Sequence, residues 1–403
     1  MRPISRGLSL ALPFAAAGAL SCSRGGIERL ATRIDTLPGG KVVVANAGAG
    51  VWHSATAWRV EEEWRIGRVE GEGPDLFGDI AAIAVDDLDR VYVLERHGQE
   101  IRVFGRDGRH VRTFGRKGKG PGEFQDAVGL TFAPDGRLWV VDPQFGRLSV
   151  FDTTGALVTS RRTSCCVSIM PWPGGFDRRG YFHDVGRDPA VDWDAGGAVL
   201  VRYDTALTAL DTLRPPRWVN PGARLEVVSA DGRARSSVIL PYTPSSSWVL
   251  TPEGDFWALH TGWYQLDHVS ARGDTVRTVT NTFEPVPVTA AERDRALKGM
   301  EWFRRRGGRV DPDRIPGVKP AASKLYVAED GYLWVGRILP TAARAGSVFD
   351  VFDPEGRLMG QVTLPFIPSL PPVIRGTLMV AVVERQVPYV VRARIVRPGR
   401  AVP

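Results

Sequence analysis

Residues 71 to 160 carry one pattern written twice, with a period of 47 residues. Gly71, Gly73, Pro74 and Phe77 return as Gly118, Gly120, Pro121 and Phe124, and Val91-Tyr92-Val93, Phe104 and Gly108 return as Leu138-Trp139-Val140, Phe151 and Gly155. A repeat of this length, made of short strands, reads as one propeller blade per copy. In the second copy Gly129 to Phe132 is a first strand, Ala133-Pro134-Asp135-Gly136 a turn, and Arg137 to Val141 a second strand; Leu148 to Phe151 and Ala156 to Ser160 complete the four. Asp and Gly stand where a tight turn needs φ > 0 or a side-chain bond back to the backbone. So small a sheet cannot bury both faces alone, and neighbouring blades must cover them.

Divergent copies follow from the same signature. Pro252 to Trp257 and Asp330 to Val335 repeat the turn and second strand, and Phe176 to Asp184 with Val199 to Tyr203 is the weakest copy. Five internal blades result, at about 80–115, 127–161, 172–213, 246–281 and 322–365. The end segments, 41–70 and 375–397, supply strands for the halves of a sixth (Val42 to Asn46 and Ala57 to Gly67; Leu378 to Val383 and Tyr389 to Val396). Their pairing would close the ring and remove two exposed sheet edges. The expected fold is therefore all-β: a six-bladed β-propeller of four-stranded antiparallel blades, closed by its terminal strands, in one domain over 41–397. Seven blades is the alternative if Thr32 to Thr36 opens a blade of its own. The 45 Gly and 30 Pro suit so turn-dense a chain.

The runs from Phe114 to Phe124 (Phe-Gly-Arg-Lys-Gly-Lys-Gly-Pro-Gly-Glu-Phe) and from Pro134 to Asp142 resemble NHL-type repeats of bacterial six-bladed β-propellers, of TolB-like build. The resemblance implies a scaffold that serves as a binding platform and, in some relatives, as a metal-dependent lactonase or a lyase. Fold does not decide between these.

At the N-terminus Arg2 and Arg6 precede a 14-residue apolar run, Gly7 to Leu20, too short to span a membrane as a helix. Ala19-Leu20-Ser21-Cys22 then looks like a bacterial lipoprotein signal, with 1–21 removed, Cys22 acylated and 22–40 a tether. An ordinary secretory signal is the alternative; both imply export to the cell envelope. Without residues 1–21 the chain holds 50 basic and 45 acidic residues, a net of +5, which speaks to solubility rather than to nucleic acid. The basic groups Arg112-Arg116-Lys117-Lys119 and Arg304-Arg305-Arg306 read as solvated faces. Cys165 and Cys166 are adjacent, and neither a disulfide framework nor zinc spacing is present.

In an antiparallel blade the first-to-second and third-to-fourth turns share one face, and the second-to-third turns and blade links share the other. The first set is short and uniform here, and the second is long and varied. Binding residues concentrate on variable loops of rigid scaffolds, so the site is expected on the long-loop face. Ligand-binding candidates there are His97, Phe145, His183, Asp184, Trp193, His260, Trp263 and Tyr264. Oxygen-rich loops with Asp188, Asp192 and Asp194 leave room for calcium, although no metal-ligand spacing supports a metal site and no cofactor is expected. Flat rings suit sugars, peptides or apolar molecules. The blade link 281–322 carries a helix: Thr289-Ala290-Ala291-Glu292 is a capping box, Ala296, Leu297, Met300 and Phe303 recur at helical spacing, and Gly307-Gly308 ends it near Arg306. Such a helix is either a channel lid or packing over a blade edge.

No nucleophile elbow, zincin motif or phosphate loop occurs, and no catalytic residue is assigned. The sequence points to a monomeric, lipid-anchored binding scaffold for an envelope protein, peptide or glycan. The alternatives are a metal-dependent hydrolase or lactonase over the channel, using His183 or His260, and a structural role in an envelope complex.

Overall fold

The computed structural model describes residues 32–162, 168–188, 198–218, 220, 222–229, 235–340 and 347–398. The signal and most of the tether, with Cys22, and also Cys165, Cys166, Trp193, Asp192 and Asp194, lie outside the described residues. Six four-stranded antiparallel blades form the propeller. Blade one joins Val373–Arg375, Leu378–Glu384 and Pro388–Val396 to Arg59–Ile66. Blades two to six run over 80–114, 129–162, 175–213, 246–281 and 322–364.

The second strand of each blade explains the architecture. Val91–Glu95 and Leu138–Asp142 are buried at every position, because both of their faces meet another blade. Side chains alternate across a strand. Tyr92 and Leu94 therefore pack with Leu138, Val140 and Phe151 of blade three, while Val91 and Val93 pack with Val380, Val382 and Val390 of blade one. Fourth strands such as His110–Phe114 face solvent on one side and have polar, alternating sequences.

The period of 47 also repeats a polar joint. Glu95 and Asp142 end the second strands of blades two and three, and each is almost fully buried. Glu95 accepts the backbone N–H groups of Gly78 (3.1 Å) and Asp79 (3.2 Å), and Asp142 those of Gln125 (2.9 Å) and Asp126 (3.3 Å). Each carboxylate satisfies donors of the incoming blade link that burial would otherwise strand. Blade five does this with the Thr261 hydroxyl, which accepts from Ser245 N at 2.8 Å.

The terminal strands depart from expectation in one respect. Arg59–Ile66 completes blade one, but Val42–Asn46 does not join it. That strand pairs in parallel with Thr275–Asn281, the outer strand of blade five, and Thr32–Thr36 turns back along it. Blade five thus carries a six-stranded sheet, and Thr32 opens no seventh blade. The buried Val44 packs with Trp257, Leu259 and Val279, and Asn46 bonds across to blade six through Gly356 O (2.9 Å) and Leu358 N (2.9 Å). An open strand edge is a row of unpaired donors and acceptors, and the N-terminal segment covers one while bracing two blades.

The helix in the 281–322 link is present with its capping box, but breaks at Met300 into α1 (Ala290–Gly299) and α2 (Glu301–Arg305). Gly299 sits at the break, where Met300 N–H bonds Leu297 O at 3.1 Å; glycine is a poor helix residue. The helices pack neither as a bare lid nor on a blade edge. Met300, Phe303 and Ile315 meet Leu225, in the first strand of an extra hairpin (Arg224–Val228 with Arg235–Ile239) inserted between blades four and five, and Leu240, which follows its second strand. A buried ion pair, Lys319 Nζ to Glu292 Oε1 at 2.6 Å, pins α1 to the strand link.

Turn glycines provide a test. Gly136 (φ +78°) and Gly155 (φ +85°) occupy equivalent left-handed positions, but a Cβ on Gly155 would sit 2.7 Å from Phe114 Cδ1 whereas one on Gly136 would meet nothing within 4 Å. Gly136→Ala should cost about 1 kcal/mol from backbone conformation alone. Gly155→Ala should cost about 3 kcal/mol, because contact adds to conformation. Comparative urea unfolding measures the difference, and equal losses would remove the steric account.

Candidate functional site

The first strand of each blade lies innermost, and the six end together in a ring: Val85, Phe132, Phe176, Leu250, Val327 and Arg375. Five of these ends are apolar and one is cationic. With the first-to-second turns that follow, they enclose a cavity of about 940 Å3 at the channel mouth, to which every blade contributes. Leu88 lies 69% exposed on its wall, an apolar side chain inside the acidic turn Asp86-Asp87-Leu88-Asp89.

Three charged groups of the mouth, Asp86, Arg375 and Arg178, are held by neighbours, while Asp87 stands exposed and burial raises the carboxyl of Glu329. Asp86 accepts Leu88 N (3.0 Å) and Arg90 N (2.8 Å) with one oxygen, and Arg90 Nε (2.6 Å) and Tyr92 OH (3.2 Å) with the other. Arg375 donates to Asp89 (2.7 Å), to Asp87 (3.4 Å) and to the Asp86 carbonyl (2.7 Å). Arg178 is held by the Glu253 carboxylate and the Glu329 carbonyl. Fixed in this way, the charges present a static pattern to a ligand, as a preorganised binding surface does.

The mouth is at the opposite end from the loops in which the sequence places the site. The physical reason is the same contrast in loop length. Short turns do not fold over the ring they finish, whereas two of the long links at the other end, 214–247 and 281–322, pack on one another through the hairpin and helices.

The sequence candidates separate into architectural and exposed residues. His183 is fully buried. Its register opposite Gly175 is that of Tyr92 opposite Ala84, Trp139 opposite Thr131, Trp257 opposite Val249 and Trp334 opposite Tyr326. It is therefore the packing residue of blade four. Burial pushes its imidazole below the usual histidine range, outweighing Asp177, whose Oδ2 is 3.9 Å from Nε2. Asp184 is buried too, accepting Trp172 Nε1 (2.9 Å) and Val185 N (2.8 Å), and burial raises its carboxyl. Tyr264 lies inside the blade five to blade six contact, donating its hydroxyl to Asp350, which Asn281 (3.4 Å) and Arg337 (3.5 Å) also approach. Desolvation raises both Tyr264 and Asp350. Phe145 lies under the Arg147 guanidinium at 4.7 Å, beside a blade link, and His97 is exposed over Gly78.

Among the described residues, the candidates His260 and Trp263 come together. Their rings are 5.7 Å apart, Trp218 stands 4.8 Å from Trp263, and His260 Nε2 approaches Asp267 Oδ2 at 3.2 Å. Trp263 is 55% exposed. Trp218 and Asp267 were not singled out from the sequence, and the one signal pointing to the mouth was the lone leucine in an aspartate-rich turn. Among the described residues no group of three or more His, Cys, Asp or Glu side chains could hold a metal ion, and no helix is long and apolar enough to cross a membrane. His183 does not fit a cation over the channel, since it is fully buried inside the blade.

The family DUF5128, described as a 6-bladed beta-propeller, has a model similar to residues 72–175 of the chain. No curated protein matches. Solved structures of similar build include a protein of Bacteroides fragilis described as a putative exported protein (12% identity, 88% of this chain and 99% of that one, TM-score 0.48). Virginiamycin B lyase from Staphylococcus aureus (10%, 84% and 100%, 0.43) and a gluconolactonase from Xanthomonas campestris (12%, 86% and 94%, 0.40) are others. At these identities and scores the likenesses bear on neither activity nor ligand.

The packing role of His183 is testable. His183→Phe should fold normally and gain up to about 1 kcal/mol, because two buried ring nitrogens that meet no hydrogen-bond partner are removed. His183→Ala should lose about 3 kcal/mol through the cavity it leaves. A base depressed by folding holds its stability above its unfolded value of 6.5 and loses it as pH falls. Melting curves of the parent should therefore decline below that pH while those of His183→Phe decline less; parallel curves would contradict the buried, neutral imidazole.

Proposed function

We propose that this chain is a non-catalytic binding propeller of the bacterial cell envelope, tethered through an acylated Cys22, which holds a protein, peptide or glycan partner at its channel mouth. The observation that carries this is the mouth cavity itself, ringed by all six innermost strands, with Asp86, Arg178 and Arg375 held in place on its wall. Binding there uses a rigid frame and costs little ordering of the protein. Thr32 pairs with Asn46 and Asn46 with Asn281, so the described chain begins at the end of the propeller opposite the mouth. The envelope location rests on the N-terminal sequence.

The test compares the two ends. Ligands found by thermal shift across peptide, glycan and lactone collections should bind at least about tenfold more weakly to Leu88→Glu, which places a charge in the mouth, and unchanged to Trp263→Ala. Loss with Trp263→Ala alone would move the site to the aromatic group around His260. Metal content is measured on the same preparation: near-stoichiometric divalent metal, with a melt lowered by EDTA and restored by calcium, would replace the binding role by the metal-dependent hydrolase.

A further inference from the structure

From the mouth a second hollow, of about 510 Å3, runs outward between blades three and four, and Ala133, Pro134, Phe176 and Arg178 line both. Its charge is one-sided. Arg137, Arg161, Arg178 and Arg179 line it against a single acid, Asp135. Two of the guanidinium groups are engaged: Arg178 by the Glu253 carboxylate and Arg179 by the Glu253 carbonyl. The other two are weakly compensated. Arg137 meets only Asp135, at 3.7 Å and with both half exposed, and Arg161 reaches only the Ala206 carbonyl, at 3.4 Å. Exposed contacts of that length contribute little. Between the arginines the floor is apolar, the half-buried Phe176 lying over the closely packed Trp139 and Val150.

Resting on the mouth-binding role proposed above, we infer that this cleft seats an acidic peptide segment, extended from the channel mouth, with carboxylates on Arg137 and Arg161 and alternate apolar side chains on the floor. Guanidinium forks match carboxylates with two parallel hydrogen bonds. An extended peptide points successive side chains to opposite sides, which fits a floor and a rim of different character. The floor also argues against sugar: Trp139 is only 8% exposed and its ring lies against Phe176 and Phe182, leaving no open aromatic face to stack on.

The experiment is fluorescence anisotropy with the full chain and two labelled hexapeptides, Glu-Leu-Glu-Phe-Glu-Leu and its counterpart with glutamine in place of glutamate. The acidic peptide should bind about tenfold or more tightly, with the preference shrinking as salt rises. Arg137→Glu with Arg161→Glu should abolish the preference, and Arg137→Gln with Arg161→Gln should reduce it while leaving the melt unchanged. Equal binding of the two peptides, or full preference retained in the double variants, overturns the inference. So does binding of an oligouronate in place of the peptide with the same arginine dependence, which would give the cleft to a glycan. The mouth is read separately: if Leu88→Glu weakens ligands and the arginine variants do not, the mouth stands and the cleft falls.

Discussion

The apolar faces of the second strands govern the rest of this structure. A strand such as Leu138–Asp142 has side chains on both faces that water would penalise, and its own four-stranded sheet can cover neither. Leu138 and Val140 depend on blade two, and Trp139 and Val141 on blade four. Each blade is thus stable only between two others, and the requirement ends only when the ring closes. Pairing of Val390–Val396 with Arg59–Ile66 meets it, joining segments from the two ends of the chain. The strap formed by residues 32–52 adds to the closure, since Asn46, Val51 and Trp52 fasten blade six at the outer edge of blade five.

A ring built in this way spends many of its polar side chains on its own joints. Glu95, Asp142 and Thr261 take up link N–H groups, Asp86 and Asp152 hold turns, and Tyr264 and Asp350 bond between blades. Burial without such partners would be costly, so these side chains have structural work wherever they occur. That is why residue type misleads here. A histidine and an aspartate adjacent at 183 and 184 look like chemistry in a sequence; in the fold one fills the place of a blade tryptophan and the other anchors Trp172.

The two ends of the propeller divide the remaining surface. One is crowded with insertions that found partners in each other; the other is an open ring with a fixed charge pattern and a cationic cleft leading away from it. Loop length alone would favour the crowded end as the functional one. A long loop can fold onto another, as the 214–247 and 281–322 links do, whereas a two-residue turn has nothing to fold onto and leaves what it borders accessible.

The sequence by itself determined the blade and its turn chemistry, because strand and turn depend on local alternation and on Asp and Gly at fixed offsets, repeated every 47 residues where divergence is least. It counts six blades but leaves seven open, and the pairing of Thr32–Thr36 with Val42–Asn46 decides for six. It also determined the capping box of α1, a contact between residues three apart. Only the tertiary structure decided where Val42–Asn46 pairs, since any open strand edge offers the same backbone bonds and the choice rests on the side chains around Val44 and Asn46. It alone decided, too, that His183 and Tyr264 are interior and that six strand ends distant in sequence meet to form a mouth. Burial and convergence are properties of the closed ring, and no stretch of chain short enough to be read as a motif contains them.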